Sequence, residues 1–261
     1  MRKGIESLFS LVPLHFFASE EDKQLKAQWF NDPRSCPANT VVSRHVHSLI
    51  NFVQIAGRDV QSLAPVGWLT DNVIDFCLEN LQLYIDNPTY RFISQNVQKV
   101  IMRDQSLVHV IKSIAKTAEE FGTLKRLYIV HHQIGHWVGI HVLFDSKTVE
   151  YHDPYWNIRS KTPGLPESHA TQTLKYYVRF MRELFTTFYS EDFMTEEMKK
   201  WTFRDMQRST SQQDNGYDCG LYVFKGFLDS SRNQNLSGID KNFRKHILLS
   251  CLKGQIDFEE L

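Results

Sequence analysis

Residues 213–220 read Gln-Asp-Asn-Gly-Tyr-Asp-Cys-Gly and run straight into the apolar segment Leu221 to Leu228. Turn-forming residues crowd the start of this stretch and apolar residues follow them, which predicts a loop feeding a buried helix. Cys219 then falls in the first turn of that helix. There the positive end of the peptide dipole favours a thiolate, as would an imidazolium placed beside it. Asp218 suits the N-cap position, and Gly220 leaves space near the sulfur for an acyl group. Taken alone, Cys219 reads first as a buried core cysteine, since free cysteine is among the most buried residue types.

A cysteine nucleophile needs a base within reach, and the base needs an acceptor to orient it. His136 heads a predicted strand, His136 to Phe144 (HWVGIHVLF), and Thr148 to Asp153 (TVEYHD) alternates as the next, with a turn at Asp145-Ser146. Pairing of those two strands brings His136 and Asp153 to the same end of a hairpin. Gln213, on the loop leading to Cys219, offers one donor for the oxyanion of acyl transfer, and the Cys219 N–H offers a second. His131, His132, His141 and His152 crowd the same region, but no HExxH or CxxC spacing accompanies them. The expectation is therefore no metal and no organic cofactor.

Further out, Leu127 to His131 predicts another strand and Trp201 to Met206 one more. Helices are predicted from Trp68 to Ile85, with Thr70 or Asp71 as N-cap and Asn87-Pro88 as the stop, and from Gln105 to Phe121, ended by Gly122. Two more follow at Thr171 to Tyr189 and Asn242 to Leu252, while residues 157–170 read as loop. Helices before and behind a central strand meander make an α+β fold. Residues 1–60 form an N-terminal accessory segment and 61–261 the catalytic domain, in a chain that is a single domain overall.

Length and composition agree with one sizeable core. A chain of 261 residues, 42% of them hydrophobic, buries about three quarters of its unfolded surface. The 30 basic residues balance the 30 acidic ones, which removes the electrostatic argument for nucleic acid and excludes a solvated disordered chain. No apolar run is long enough to span a membrane. Leu8 to Phe17 is interrupted by Ser10, Pro13 and His15 and reads as a packing segment rather than a cleaved signal. The four cysteines, Cys36, Cys77, Cys219 and Cys251, are scattered rather than arranged as a disulfide framework, which favours a reducing, intracellular compartment.

With these residues set out, a family resemblance appears. Gln213-Asp214-Asn215-Gly216-Tyr217-Asp218-Cys219-Gly220 resembles the Q-x-N-x-x-D-C-G signature of the SUMO-protease-like (ubiquitin-like-protein protease) family of clan CE cysteine peptidases. His136-Trp137 resembles its catalytic His-Trp, Asp153 its catalytic Asp, and Trp68-Leu69-Thr70-Asp71 its W-L-x-D segment, all in the family's order. The resemblance implies a papain-like fold of the clan CE type: a central mixed sheet flanked by helices, with the nucleophile at a helix N-terminus. It implies a thiol protease or isopeptidase cleaving after the C-terminal Gly-Gly of a ubiquitin-like modifier. Ubiquitin, SUMO and NEDD8 are the partners to consider, and the enzyme is expected to be monomeric. In such an enzyme His136, Asp153, Cys219 and Gln213 are catalytic, and Trp68, Trp137 and Asp71 bind the modifier's tail. Pro154-Tyr155-Trp156 after Asp153, and the long stretches 87–121 and 157–200, depart from the family pattern and leave the modifier open. The divergence suits a bacterial or viral effector in a host cytoplasm as well as a cytoplasmic or nuclear protease. A clan CE acetyltransferase and a non-catalytic modifier-binding module are the alternatives.

Overall fold

The structure is a computed structural model that describes residues 19–46, 52–102, 107–133, 135–159, 161 and 169–261. The apolar run Leu8 to Phe17 lies outside them. A helix α1 (Glu20–Asn31), a strand pair β1 (Val41–Val46) and β2 (Phe52–Ala56) and a short helix α2 (Gly57–Ser62) come first. Helix α3 (Asp71–Ile85) follows, then β3 (Tyr90–Ile93), α4 (Gln95–Met102), α5 (Val108–Ile114) and α6 (Ala118–Gly122). Strands β4 (Arg126–Gln133), β5 (His136–Leu143) and β6 (Thr148–His152) lead to α7 (Trp156–Arg159), α8 (Ala170–Phe188) and α9 (Glu191–Met198). Strand β7 (Thr202–Asp205) and helices α10 (Cys219–Ser231) and α11 (Phe243–Lys253) complete the order.

The main sheet runs β3-β4-β5-β6-β7, with the central three strands antiparallel and both outer strands parallel to their neighbours. The strand meander expected at the centre is there, and the sheet as a whole is mixed. β5 is buried over seven consecutive residues, as a strand covered on both faces must be. Alternation sorts the side chains. Leu127, Ile129, Val138, Ile140, Val142, Val149 and Tyr151 join the core formed with Leu174, Tyr177, Phe180 and Leu184 of α8. Tyr128, Val130 and Trp137 face the other core, with Phe76 of α3, Phe224 and Phe227 of α10 and Ile247 of α11. Burying each of these rings against its neighbours stabilises the fold by a few kcal/mol, and truncating one to Ala costs about 3–5 kcal/mol.

Four sequence expectations change. The helix expected over Gln105 to Phe121 is broken, because Ala115 is extended (φ −147°) and Thr117 starts a new helix by accepting the Glu120 N–H on its hydroxyl. Strands β1, β2 and β3 had no counterpart in the reading; β3 is only four residues long and exists through its parallel pairing with β4. The loop expected from residue 157 starts as helix α7. Residues of the segment 1–60 do not stand apart either: Trp29, Cys36, Val42 and Ile55 lie in the same core as Phe76 and Phe224. The helix from Asp71 forms as expected, capped by Thr70 and ended by Asp86 in a left-handed turn (φ 42°) just before Asn87-Pro88.

Candidate active site

The register of β5 on β6 pairs Gly139 with His152, so His136 and Asp153 come together at the open end of the hairpin. Their side chains touch: His136 Nε2 and Asp153 Oδ1 are 2.7 Å apart and both residues are buried. With Nε2 committed to the carboxylate, Nδ1 is the nitrogen left for the Cys219 side chain, which acts on the same ring. Burial alone would make His136 harder to protonate. The hydrogen bonds and negative charges of Asp153 and Cys219 outweigh it and lift His136 to about 9. Asp153 is pulled the other way. Burial favours its neutral form, but the hydrogen bond and charge of His136, the Arg159 charge and the Tyr155 N–H together hold it below the usual carboxylate range.

Cys219 opens α10 and, at 7% exposed, is the least enclosed of the four cysteines. The other three cysteines are fully enclosed, with burial pushing the Cys36 thiol up to about 11 and the thiols of Cys77 and Cys251 up as well. Only Cys219, among the described residues, is a cysteine with an imidazole at hand.

The loop before α10 explains its own spelling. Asn215 Oδ1 accepts the N–H groups of Tyr217 and Asp218, both at 3.0 Å, which curls the chain into the helix. Asp218 stands at the N-cap position, but its carboxylate caps nothing. It accepts from Asn215 Nδ2 at 2.7 Å and from Arg244 Nε at 3.0 Å instead. This corrects the expected capping role: Asp218 ties the loop to α11, and its side chain leaves the first-turn N–H groups of α10 uncapped. Gly220 also serves a different purpose from the one expected. A Cβ there would lie 2.8 Å from Ile74 Cδ1, 3.0 Å from Leu69 Cδ1 and 3.2 Å from Trp137 Cδ1, so the glycine lets α10 pack against α3 and the tryptophan.

Gln213 is buried and anchored, its N–H donating to the Pro154 carbonyl at 2.8 Å. Its side-chain amide donates to the Asn215 carbonyl, which employs one of its two N–H groups. The tryptophans differ from each other. Trp137 is 7% exposed and its indole N–H donates to the Leu69 carbonyl at 3.3 Å, pinning the segment that carries Trp68. Trp68 is 60% exposed, and its ring lies over Gly135, 3.0 Å from where a Cβ would be. Gly135 has φ +67°, a conformation in which a side chain would be strained as well as crowded. Asp71, exposed at the start of α3, accepts from Gln95 Nε2 at 3.2 Å.

Two residues of the site escaped the sequence reading. Arg159, on α7, lies 3.3 Å from Asp153 Oδ2, a charge contact rather than a directed hydrogen bond. Gln212 donates from Nε2 to the Asp153 carbonyl at 2.9 Å and accepts the Asn157 N–H on Oε1. Arg159 thus sets a positive charge beside the carboxylate, and Gln212 holds the Asp153 backbone in place. Arg159 lies in a stretch read as loop and carries no motif, so its only signal was nearness to Asp153 in the chain.

This geometry has parallels among known proteins. The Ulp1 protease family, C-terminal catalytic domain, matches residues 67–245. The C-terminal Ulp1 protease domain solved in complex with Smt3, the yeast ortholog of SUMO, superimposes with a TM-score of 0.65 at 20% identity. That superposition covers 90% of this chain and 95% of the yeast one. The Ulp1-like SUMO protease catalytic domain of Chaetomium thermophilum does so with a TM-score of 0.63 at 16% identity, covering 92% of each chain. At such identities the likeness is one of fold. No curated protein sequence matches. The family match begins at the residue before Trp68, takes in the hairpin and the nucleophile loop, and ends just past Arg244; spanning more than half of the chain, it shows that this protein belongs to the Ulp1 protease family.

Proposed function

We propose that the chain is a thiol peptidase that cleaves after the C-terminal Gly-Gly of a ubiquitin-like modifier, from a precursor or from a conjugated lysine. The observation that carries this reading is the buried His136–Asp153 contact of 2.7 Å with Cys219 on the same imidazole at a helix N-terminus. In this reading the imidazolium and thiolate form an ion pair, and the sulfur attacks the carbonyl carbon of the modifier's last glycine. The carbonyl oxygen takes up the negative charge and is met by the Cys219 N–H and the second Gln213 N–H. As the C–N bond breaks, His136 gives its proton to the departing amine. Water, deprotonated by the same imidazole, then opens the thioester and restores the thiol. Asp153 keeps the ring aimed throughout, and Arg159 helps hold Asp153 ionised.

Trp68 and Asp71 stand beside the site on an exposed segment, where a flat ring and Gly135 suit a tail without side chains. Residues of both stretches that depart from the family pattern line an open concavity of about 260 Å³, among them Phe121, Phe185 and Phe193, and modifier choice is assigned to such variable surfaces. A thiolate enzyme works in a reducing compartment, so an intracellular site of action follows from the same reading.

A panel of ubiquitin, SUMO and NEDD8 carrying a C-terminal electrophile tests it. One modifier is expected to form a covalent adduct that disappears in Cys219→Ala. Binding without reaction would favour the non-catalytic module, and transfer of label from acetyl-CoA to protein would favour the acetyltransferase.

A further inference from the structure

The β5–β6 hairpin carries a second histidine–carboxylate group on its opposite face. His141 pairs with Glu150 across the strands and His152 with Gly139, which puts all three side chains on the side covered by α10. One ligand atom from each lies within 4.8 Å of the others. The surroundings are apolar: Tyr128 and Phe227 present ring edges to His141 at 5.1 Å.

Proton bookkeeping in this group leaves a gap. Thr210 donates its hydroxyl hydrogen to the Met206 carbonyl at 3.0 Å, so toward His152 Nδ1, 2.9 Å away, its oxygen can only accept. Nδ1 therefore holds the ring hydrogen, and Nε2 faces Glu150 Oε2 at 3.1 Å. Two acceptor atoms this close call for something between them, either a hydrogen carried by one of the two groups or a metal cation. His141 distinguishes the two. It is 3% exposed, its ring lies 4.1 Å from that of His152, and it makes no hydrogen bond to any described residue. A cation shared by all three groups would give this imidazole a partner that a proton on His152 does not.

We propose that His141, Glu150 and His152 form a binding site for a divalent transition metal, with zinc the best fit. Two imidazoles and one carboxylate are a ligand set that zinc takes, with a fourth position left for water. An adjoining cavity of about 10 Å³, bounded by His141, His152, Thr210 and Tyr222, has room for about one water. Thr210, holding Nδ1, is the outer partner that fixes the ring of a metal-bound histidine. Closing on a zinc shell of about 2.0–2.1 Å draws the three ligand atoms to roughly 3.3 Å from one another, a matter of small side-chain rotations. The bound ion would lock β5 to β6 one residue before Asp153, with no part in the chemistry.

The test uses the metal-stripped chain carrying Cys219→Ala, so that the other imidazole–sulfur pair binds nothing. Calorimetric titration with Zn²⁺ is expected to show one ion per chain with a micromolar or tighter Kd. Crystals are expected to show anomalous scattering between the three side chains at the zinc edge. Glu150→Gln is expected to weaken binding at least tenfold and His141→Leu at least a hundredfold, each with an unchanged circular dichroism spectrum. Absence of stoichiometric zinc, an anomalous peak at other histidines, or undiminished affinity in Glu150→Gln overturns the proposal. Should His141→Leu fail to fold, the Glu150→Gln titration and the position of the peak still decide it.

Discussion

One hairpin holds two histidine–carboxylate groups, and their contrast shows how position rather than composition assigns chemistry. At the open end of β5–β6, His136 has a carboxylate on one nitrogen and a thiol on the other, and these lift it to about 9. In the middle of the same strands, on the opposite face, His141 lies against aromatic rings. Burial first, then the nearby His152 and Arg126 charges, push it well below the ordinary value. The first group lies beside the exposed Trp68, whereas the second lies on the face covered by α10. A histidine becomes a candidate acid–base catalyst where a strand end and a helix end leave it a partner and an opening.

The contrast can be broken from the open end. Asp153→Asn removes the charge that orients and lifts His136, and is expected to lower the turnover of a modifier substrate by about 10³-fold while leaving activity above that of Cys219→Ala. Gln213→Ala removes one proposed oxyanion donor and is expected to cost about 10²-fold in kcat with KM little changed. Steady-state kinetics on the matching modifier fusion measures both.

The pH profile sharpens the same point. Since His136 titrates at about 9 in the fold against an ordinary 6.5, the imidazolium is present at neutral pH and is lost as pH rises through about 9. The rate is therefore expected to be level near pH 8 and to fall about tenfold per unit above about pH 9. The stability this pair contributes follows the same sign, full below the unfolded value and lost through the folded one. A rate that instead declined below pH 8 would assign the ion pair wrongly. The smallest effect is expected at Trp68. Being 60% exposed, Trp68→Ala should change stability by no more than about 0.5 kcal/mol, yet raise KM about tenfold through the lost ring face.

Much of this was legible in the sequence, and the reasons for the rest are physical. Periodicity located α3 and α8, and apolar runs with one alternating stretch located the three central strands, because each is long enough for burial to mark the sequence. β3 left none, since four residues show no period and its existence depends on β4, far along the chain. Cys219, His136 and Asp153 were legible because their chemistry demands those residue types in a recognisable order. Arg159 and Arg244 were not, because an arginine on a short or terminal helix looks like any solvated charge until packing brings Asp153 or Asp218 to it. The roles expected of Asp218 and Gly220 changed for the same reason: α11 and α3 supply the partners that decide them.

The central claim is that Cys219, activated by His136, attacks the end of a Gly-Gly tail. Intact-protein mass spectrometry after incubation with modifiers bearing a C-terminal electrophile tests it most directly. The account predicts one adduct, of one modifier's mass, mapped by peptide digestion to Cys219 and absent from Cys219→Ala. An adduct that persists in Cys219→Ala, or a wild-type chain that reacts with none of ubiquitin, SUMO and NEDD8, would contradict it.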